Sequence, residues 1–211
     1  IQEVLTIITP EGAFLVYSDY ELVGTNNFDD FIQYGDQVEI NLIIENVGVE
    51  NTNAISINVS SNDQYITMID SYSMIAYAIA GETATTEETI SFSVLNSVPD
   101  GHLASFEAIL DDGANQWTIT FNIEIHAPVF EVLDPQIEDS NMDGVWDAGE
   151  TATITVDLVN SGSANFGNYP GAVISTDSPY VTVLSGENDN TFYGIVANDS
   201  YEGTFYVEAD A

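Results

Sequence analysis

The residues best suited to chemistry lie in one stretch of oxygen donors, DSNMDGVWDAGE, which runs from Asp139 to Glu150. Its spacing matches the calcium loop D-x-[DN]-x-[DN]-G-x₅-E at every specified position. In such a loop, side chains at positions 1, 3 and 5 turn oxygens inward, position 7 offers its carbonyl, and position 9 binds directly or through water. A glycine at position 6 permits a sharp bend, and the last glutamate closes the site. The predicted ligands are therefore Asp139, Asn141, Asp143, Val145, Asp147 and Glu150.

Hard oxygen donors of this kind select calcium over zinc or copper. The alternative is a metal-free acidic turn, which a chain rich in Asp and Asn can produce by chance. Both Gly144 and Glu150 are in place, however, and carboxylates held this close without a cation would repel one another. We therefore predict calcium. Because the residues from Thr151 onward have the pattern of a strand, we expect a structural site and no opening of helices.

An earlier segment, TNNFDDFIQYGD from Thr25 to Asp36, is a degenerate copy of this loop. It keeps Asn27 and Asp29, but Thr25 replaces the first ligand, Asp30 the glycine and Asp36 the closing glutamate. The segment could hold a second metal ion. The favoured interpretation is a metal-free turn that is held by hydrogen bonds of its Asn and Asp side chains.

The two loops belong to an internal repeat. The segment QVEINLIIENVG after Asp36 matches TATITVDLVNSG after Glu150, 114 positions later, and Ile90 aligns with Phe205 at an offset of 115. Apolar residues alternate with polar ones in both copies, a period of two that indicates half-buried strands. Further strands are predicted at Ile55–Val59, Tyr65–Ile69, Thr89–Val94, Ser105–Leu110 and Trp117–Ile125. About seven short strands per copy predict an all-β fold of tandem immunoglobulin-like antiparallel β-sandwiches.

The repeat also predicts the domain organisation. Residues 1–9 resemble the last strand of a preceding module, residues 10–128 form the first sandwich, and residues 129–211 form the second sandwich with the calcium loop. A stiff linker is expected near Pro128 to Asp134. Counterparts of the last strands of the first module would fall beyond Ala211. We therefore expect either a piece of a longer chain or a strand that a partner donates.

The charge balance excludes several classes of partner. The 211 residues include 35 Asp and Glu but no Lys or Arg, which gives a formal net charge of −35. Nucleic acids and anionic membranes are repelled, cations are attracted, and we expect no internal salt bridge. With no Cys, disulfides and thiolate chemistry are excluded. No apolar run approaches the ~20 residues that span a bilayer, so no membrane insertion is expected.

Catalysis finds little support. No Cys or Lys nucleophile and no G-x-S-x-G turn is present, and His102 and His126 are expected to cap turns or face solvent. We therefore predict that the chain is not an enzyme. Carbohydrate binding is the stronger alternative, because exposed aromatic residues on β-sandwiches often bind sugars. The candidate tyrosines are Tyr72, Tyr77, Tyr169, Tyr193 and Tyr201.

The two tryptophans are given structural roles. Trp117 shares a face with Ile119, Phe121 and Ile123, which predicts a core position. Trp146 lies within the calcium loop and is expected to pack that loop onto the sandwich.

The string DSNMDGVWDAGE followed by TATITVDLVNSGSA and STDSPYVTVL resembles the immunoglobulin-like repeats of large bacterial surface and secreted proteins. These include CARDB-like repeats and those attached to gingipain-type peptidases. The loop alone resembles dockerin and EF-hand loops, although their helices are absent. The resemblance implies an extracellular or cell-surface structural or adhesive array, acting as a stalk or accessory region. Its partners would be neighbouring modules, glycans or surface proteins, and a carbohydrate-binding accessory module is the alternative.

Overall fold

The computed structural model describes residues 11–27, 30–167, 171–184, 190–191 and 194–211. These residues form strands, bridges and turns but no helix, and the strands pair antiparallel, so the predicted all-β fold class is confirmed. Within the same residues no helix is long and apolar enough to cross a membrane. The strand predicted within residues 1–9 and the predicted position of Asp29 lie outside the described residues.

The chain divides into two compact units, with Ile125 the last residue of the first and His126 the first residue of the second. The sequence placed this boundary between residues 128 and 129. Each unit has its own sheets and its own register.

The first unit is a sandwich of two antiparallel sheets. One sheet has the strand order β1-β2-β7-β4, with β6 also paired to β2, and the other has the order β5-β3-β8-β9. The strands are β1 Leu15–Thr25, β2 Gln37–Asn46, β3 Ile55–Ser60, β4 Ile66–Asp70, β5 Tyr72–Ile75, β6 Thr83–Thr85, β7 Ile90–Val94, β8 His102–Asp111 and β9 Gln116–Ile125.

Alternation of apolar and polar side chains builds the core between these sheets. The inward residues of β2 are buried, whereas Gln37 and Glu39 between them face solvent. Aromatic rings pack in this core: Phe92 of β7 lies 5.0 Å from Phe106 of β8 across the two layers, and within the second sheet Phe106 stacks on Phe121 of β9 at 5.2 Å between ring centroids. Trp117 is only half-buried, so it lies at the margin of this core and not within it as expected.

The second unit repeats the first sheet of the first unit. Its strands are β10 Phe130–Asp139, β11 Thr151–Asn160, β12 Gly171–Ala172, β13 Val181–Val183, β14 Asn190–Thr191 and β15 Asp199–Ala209. The strand order β10-β11-β15-β13 parallels β1-β2-β7-β4, and the short strands β12 and β14 form a separate pair. The register agrees as well, because Ile154 lies opposite Phe205 as Ile40 lies opposite Ile90.

One expectation about this unit is wrong. The predicted linker near Pro128 to Asp134 is largely strand, because residues from Phe130 pair with β11 as strand β10. The alternation of β10 is interrupted by a register shift between Leu133 and Gln136, where Asp134 has a φ of 48°. This irregularity hides the strand in the sequence, because the residues of one face change from even positions, Phe130 and Val132, to an odd position, Ile137, across it.

A buried asparagine occupies the same place in both units. The Asn46 side chain accepts hydrogen bonds from the N–H groups of Phe14 and Gly48, and donates to the carbonyls of Glu50 and Ala78, over 2.9–3.1 Å. Both Asn46 and its counterpart Asn160 have no exposed surface. The Asn160 side chain likewise accepts hydrogen bonds from the N–H groups of Val129 and Gly162. It donates to the carbonyls of Ala164 and Ile195.

A glycine two residues later makes this arrangement possible. A Cβ placed on Gly48 would come within 2.3 Å of the Gly12 carbonyl, and one on Gly162 within 2.3 Å of the Ala127 carbonyl. The repeated Asn-x-Gly triplet therefore combines a backbone-bridging amide with a position that has no room for a side chain.

We expect Asn46→Ala to lower the free energy of unfolding of the first unit by about 3 kcal/mol, because four backbone groups lose their partner in a buried site. Urea denaturation measures the change, and the exposed Asn62→Ala serves as the matched control with little effect. Equal midpoints for the two variants would show that the buried amide does not contribute as described.

Candidate metal centre

The predicted calcium loop is the connection of the β10–β11 hairpin. Asp139 is the last residue of β10 and pairs with Ala152, and Glu150 directly precedes β11. The first and last predicted ligands are therefore brought to the same end of one hairpin by the pairing of its strands. The loop departs in this respect from an EF-hand, where helices flank the ligands.

Carboxylate and amide oxygens inside the loop accept hydrogen bonds from its own backbone. The Asp139 carboxylate is largely buried and accepts from the N–H groups of Asp143, at 3.1 Å, and Gly144, at 3.4 Å. Asn141 Oδ1 also accepts from the N–H of Asp143, at 2.8 Å, and Asp143 Oδ1 accepts from that of Val145, at 2.9 Å. These bonds wind the chain around its first, third and fifth side chains.

The bend at position 6 uses a left-handed backbone conformation. Gly144 has a φ of +85°, and Met142 shortly before it has a φ of 61°. A Cβ on Gly144 would meet no atom within 4 Å, so the glycine is required by its backbone angle and not by lack of space.

The far end of the loop closes on Glu150. The indole Nε1 of Trp146 donates to the Glu150 carbonyl at 2.9 Å, and the N–H of Asp147 donates to Glu150 Oε2 at 3.1 Å. The Asn141 side-chain amide donates to Glu150 Oε1. Residue Ala209 in β15 fixes the same end, because its carbonyl accepts from Gly149 at 2.8 Å and its N–H donates to the Glu150 carbonyl at 2.9 Å.

The fit of this loop to a cation is partial. Among the residues that the structure describes, no three His, Cys, Asp or Glu side chains form a group that could hold a metal ion. Asn141 and the Val145 carbonyl, which supply two of the six predicted donors, belong to neither the acidic nor the His and Cys residues. The order of the donors and the loop bend suit calcium, but Glu150 contacts the Asn141 amide, so these two side chains must move apart to face an ion.

The degenerate loop of the first unit closes in the same way where it is described. Asn27 donates through its side-chain amide to Asp36, as Asn141 does to Glu150. The N–H of Gln33 donates to Asp36 Oδ2 at 2.9 Å, the counterpart of the Asp147 bond. Asp36 is fully buried. Hydrogen bonds of the Asn27 and Asp36 side chains therefore hold this turn, and its lack of a metal ion stays a prediction.

The expectation of no internal salt bridge is wrong in one place. His102 is the first residue of β8, and its Nε2 lies 2.8 Å from the carboxylate of Asp63, an ion pair whenever the imidazole is protonated. The inference from composition counted Lys and Arg and overlooked histidine. The second histidine, His126, contacts the Ser163 hydroxyl through Nδ1 at 2.7 Å.

The surroundings of Asp63 favour its ionised form. Burial raises the pKa of Asp63, but hydrogen bonds from the Tyr65 N–H and the His102 ring, together with the charge on His102, hold this pKa below its usual value. The Tyr65 ring also packs edge-on against His102 at 4.9 Å between centroids. The cluster therefore joins the turn before β4 to the start of β8.

The tyrosines proposed for sugar binding are divided between the two units, and some lie outside the described residues. Tyr72 and Tyr77 of the first unit and Tyr201 of the second are exposed. Tyr169 and Tyr193 lie outside the described residues. Trp146, the aromatic residue of the loop, is half-buried and occupied by its bond to Glu150.

Comparison with known proteins yields no assignment. No family model matches the chain, and no curated protein matches it. Among solved structures the chain is similar to the secreted serine protease VesC from Vibrio cholerae, with 11% sequence identity and a TM-score of 0.30. The similarity covers 93% of this chain and 45% of that protein, so the chain spans less than half of its length. A likeness at this TM-score does not bear on function.

Asp63→Asn is expected to lower the free energy of unfolding by about 1 kcal/mol at pH 7. Because the folded-state pKa of Asp63 is lowered, its contribution is fully present above the pKa of the unfolded carboxyl. It is lost as pH falls through the lower, folded-state value. Urea denaturation between pH 7 and pH 2 should therefore show the two proteins converging below about pH 4.

Glu107→Gln, an exposed change on the neighbouring strand β8, is the control and should change stability little at either pH. A difference between Asp63→Asn and the parent protein that stays constant down to pH 2 would contradict the assigned role of the charge.

Proposed function

We propose that the chain is a calcium-stabilised structural region of an extracellular or cell-surface protein, in which β-sandwich units act as a spacer. The observation that carries the proposal is the shape of the loop from Asp139 to Glu150. Hydrogen bonds from its own backbone to Asp139, Asn141 and Asp143 bend the chain around the first, third and fifth ligand positions of a calcium loop. Every specified position of the motif is present.

Calcium would supply the positive charge that this chain lacks. Asp139, Asp143, Asp147 and Glu150 carry four carboxylates within twelve positions, and no Lys or Arg exists anywhere to offset them. A bound divalent ion would reduce the repulsion among these groups, with Asn141 and the Val145 carbonyl as neutral donors. Glu150 would exchange its hydrogen bond from Asn141 for the ion.

The expected effect of the ion is local stiffness. The loop ends in β10 and β11, and Ala209 of β15 holds the Glu150 end through two backbone hydrogen bonds. Three neighbouring strands of the sheet order therefore meet at the loop. An ion that fixes the loop would oppose separation of the edge strand β10 from β11, which is the motion that opens a sheet at its edge.

The composition supports a location outside the cell. Loops of this type in extracellular modules bind calcium in the 10⁻⁴–10⁻³ M range, roughly. The chain has no Lys or Arg, so it offers no site to trypsin-like proteases.

Repetition of one unit design along the chain suits a spacer, since each copy can be stacked without a new fold.

Saturating calcium is expected to raise the thermal midpoint of the second unit by about 10 °C relative to chelator, because ligand binding to the folded state alone stabilises it. Glu150→Gln should remove most of this shift, since it removes the closing carboxylate. Differential scanning calorimetry at physiological ionic strength measures both. Glu138→Gln, an exposed acidic residue immediately before the loop, is the matched control and should keep the shift.

The result that would overturn the metal site is an equal calcium shift in the parent, Glu150→Gln and Glu138→Gln proteins, which indicates diffuse screening of the negative surface. Specific glycan binding that depends on Tyr72 and Tyr77 would instead favour the carbohydrate-binding alternative over a spacer.

A further inference from the structure

In the first unit, a strand of the second sheet covers the inward side of edge strand β1. Tyr17 of β1 stacks on Phe121 of β9, with 5.0 Å between centroids and 9° between ring planes. Leu15, at the start of β1, is 1% exposed. The hairpin β8–β9 presents alternating apolar residues to this core, all of them buried: Ala104, Phe106, Ala108, Leu110, Phe121, Ile123 and Ile125.

The second unit has an equivalent inward row on β10. Directly opposed residues of an antiparallel pair point to the same face of the sheet. Phe130 lies opposite Asn160, Val132 opposite Leu158, and Ile137 opposite Ile154. The matching pairs in the first unit are Leu15 with Asn46, Tyr17 with Ile44, and Leu22 with Ile40. Phe130, Val132 and Ile137 therefore face the side of the sheet that β9 covers in the first unit.

This row is open in the second unit. Phe130 is 38% exposed, Val132 61% and Ile137 54%. The Phe130 ring meets that of Phe166 edge-on at 5.2 Å, but none of the described residues of the unit forms a strand that lies along the row as β9 lies along β1. Three large apolar side chains of β10 thus remain exposed on a face whose counterpart on β1 of the first unit is covered by β9.

We propose that this row, defined as Phe130, Val132 and Ile137, is the docking surface for a β-hairpin of the β8–β9 type. Such a hairpin presents apolar side chains at every second position, with an aromatic ring on the strand that lies over β10. Docking would place a strand over β10, at the edge of the sheet β10-β11-β15-β13, as β9 lies over β1 in the first unit.

The charge distribution argues against a second copy as the occupant. Two chains would each bring a formal charge of −35, and β10 itself carries Glu131, Asp134 and Glu138, all exposed. No Lys or Arg is available to offset their repulsion. A hairpin has a far smaller charge and offers the apolar alternation that already covers the equivalent face in the first unit.

The test supplies the hairpin within the full chain. A flexible Gly/Ser linker and a second copy of residues 101–126 are added after Ala211, because an isolated hairpin is marginal in water and a linker raises its effective concentration. Hydrogen exchange by NMR reports on the amides of Phe130–Asp139 other than Pro135, which has no amide hydrogen. We expect exchange there to slow about tenfold or more, with NOEs from the Val132 methyls to an aromatic ring of the added hairpin.

The matched control is the same extension with F106D and F121D in the added copy, which should restore the exchange rates of the parent chain. Unchanged exchange in the unmodified extension, or NOEs that map to the first unit, would overturn the proposal.

A second measurement uses the unextended chain. A neutral apolar dye should bind it, and Val132→Asp should reduce that binding severalfold, whereas Leu133→Asp, on the opposite face of β10, should not. Equal effects of the two changes would contradict the assigned face. Dimerisation in sedimentation equilibrium that Val132→Asp abolishes would show that a second copy is the occupant, and would also overturn the proposal.

Discussion

The strongest constraint on this molecule is that its acidic side chains have no Lys or Arg to pair with. A carboxylate that leaves water must then be satisfied by N–H donors, and the structure does this at turns. Asp36, Asp112 and Asp139 are buried, and each accepts hydrogen bonds from backbone N–H groups of its own turn. Burial raises the pKa of Asp112, but the N–H groups of Asn115 and Ala114 outweigh it and hold this pKa below its usual value. Backbone N–H groups at turns therefore stabilise these buried carboxylates, a role that ion pairs have in most proteins.

The two copies of the hairpin loop accommodate acidic side chains without Lys or Arg in two different ways. In the first unit Asp36 has the shorter side chain, is fully buried, and accepts hydrogen bonds from the Asn27 amide and the N–H of Gln33. In the second, the longer Glu150 lies nearer the surface and shares the loop with three further carboxylates, Asp139, Asp143 and Asp147. Backbone hydrogen bonds shape both loops, and the second places four carboxylates within twelve positions where the first places three, Asp29, Asp30 and Asp36.

Features with a local signal could be predicted from the sequence. Strict alternation located β2, β9 and β11, and the repeat gave the alignment of Ile90 with Phe205 that the registers of both sheets bear out. Strands β1 and β10 could not be found in this way, because register shifts interrupt their period of two and Pro135 lies within β10. Without these strands, the sequence predicts a linker where β10 lies and gives no sign of the exposed apolar row on it. The bond from His102 to Asp63 joins residues 39 positions apart, and nothing in the local sequence pairs them.

The central claim is that Asp139 to Glu150 binds one calcium ion at a defined site and that the acidic surface does not account for the binding. Calorimetric titration of calcium into the full chain at physiological ionic strength tests this most directly, with Asp139→Asn titrated in parallel. The account predicts one saturable step of about one ion per chain that the substitution removes. A shallow curve without a step, the same for both proteins, would contradict it.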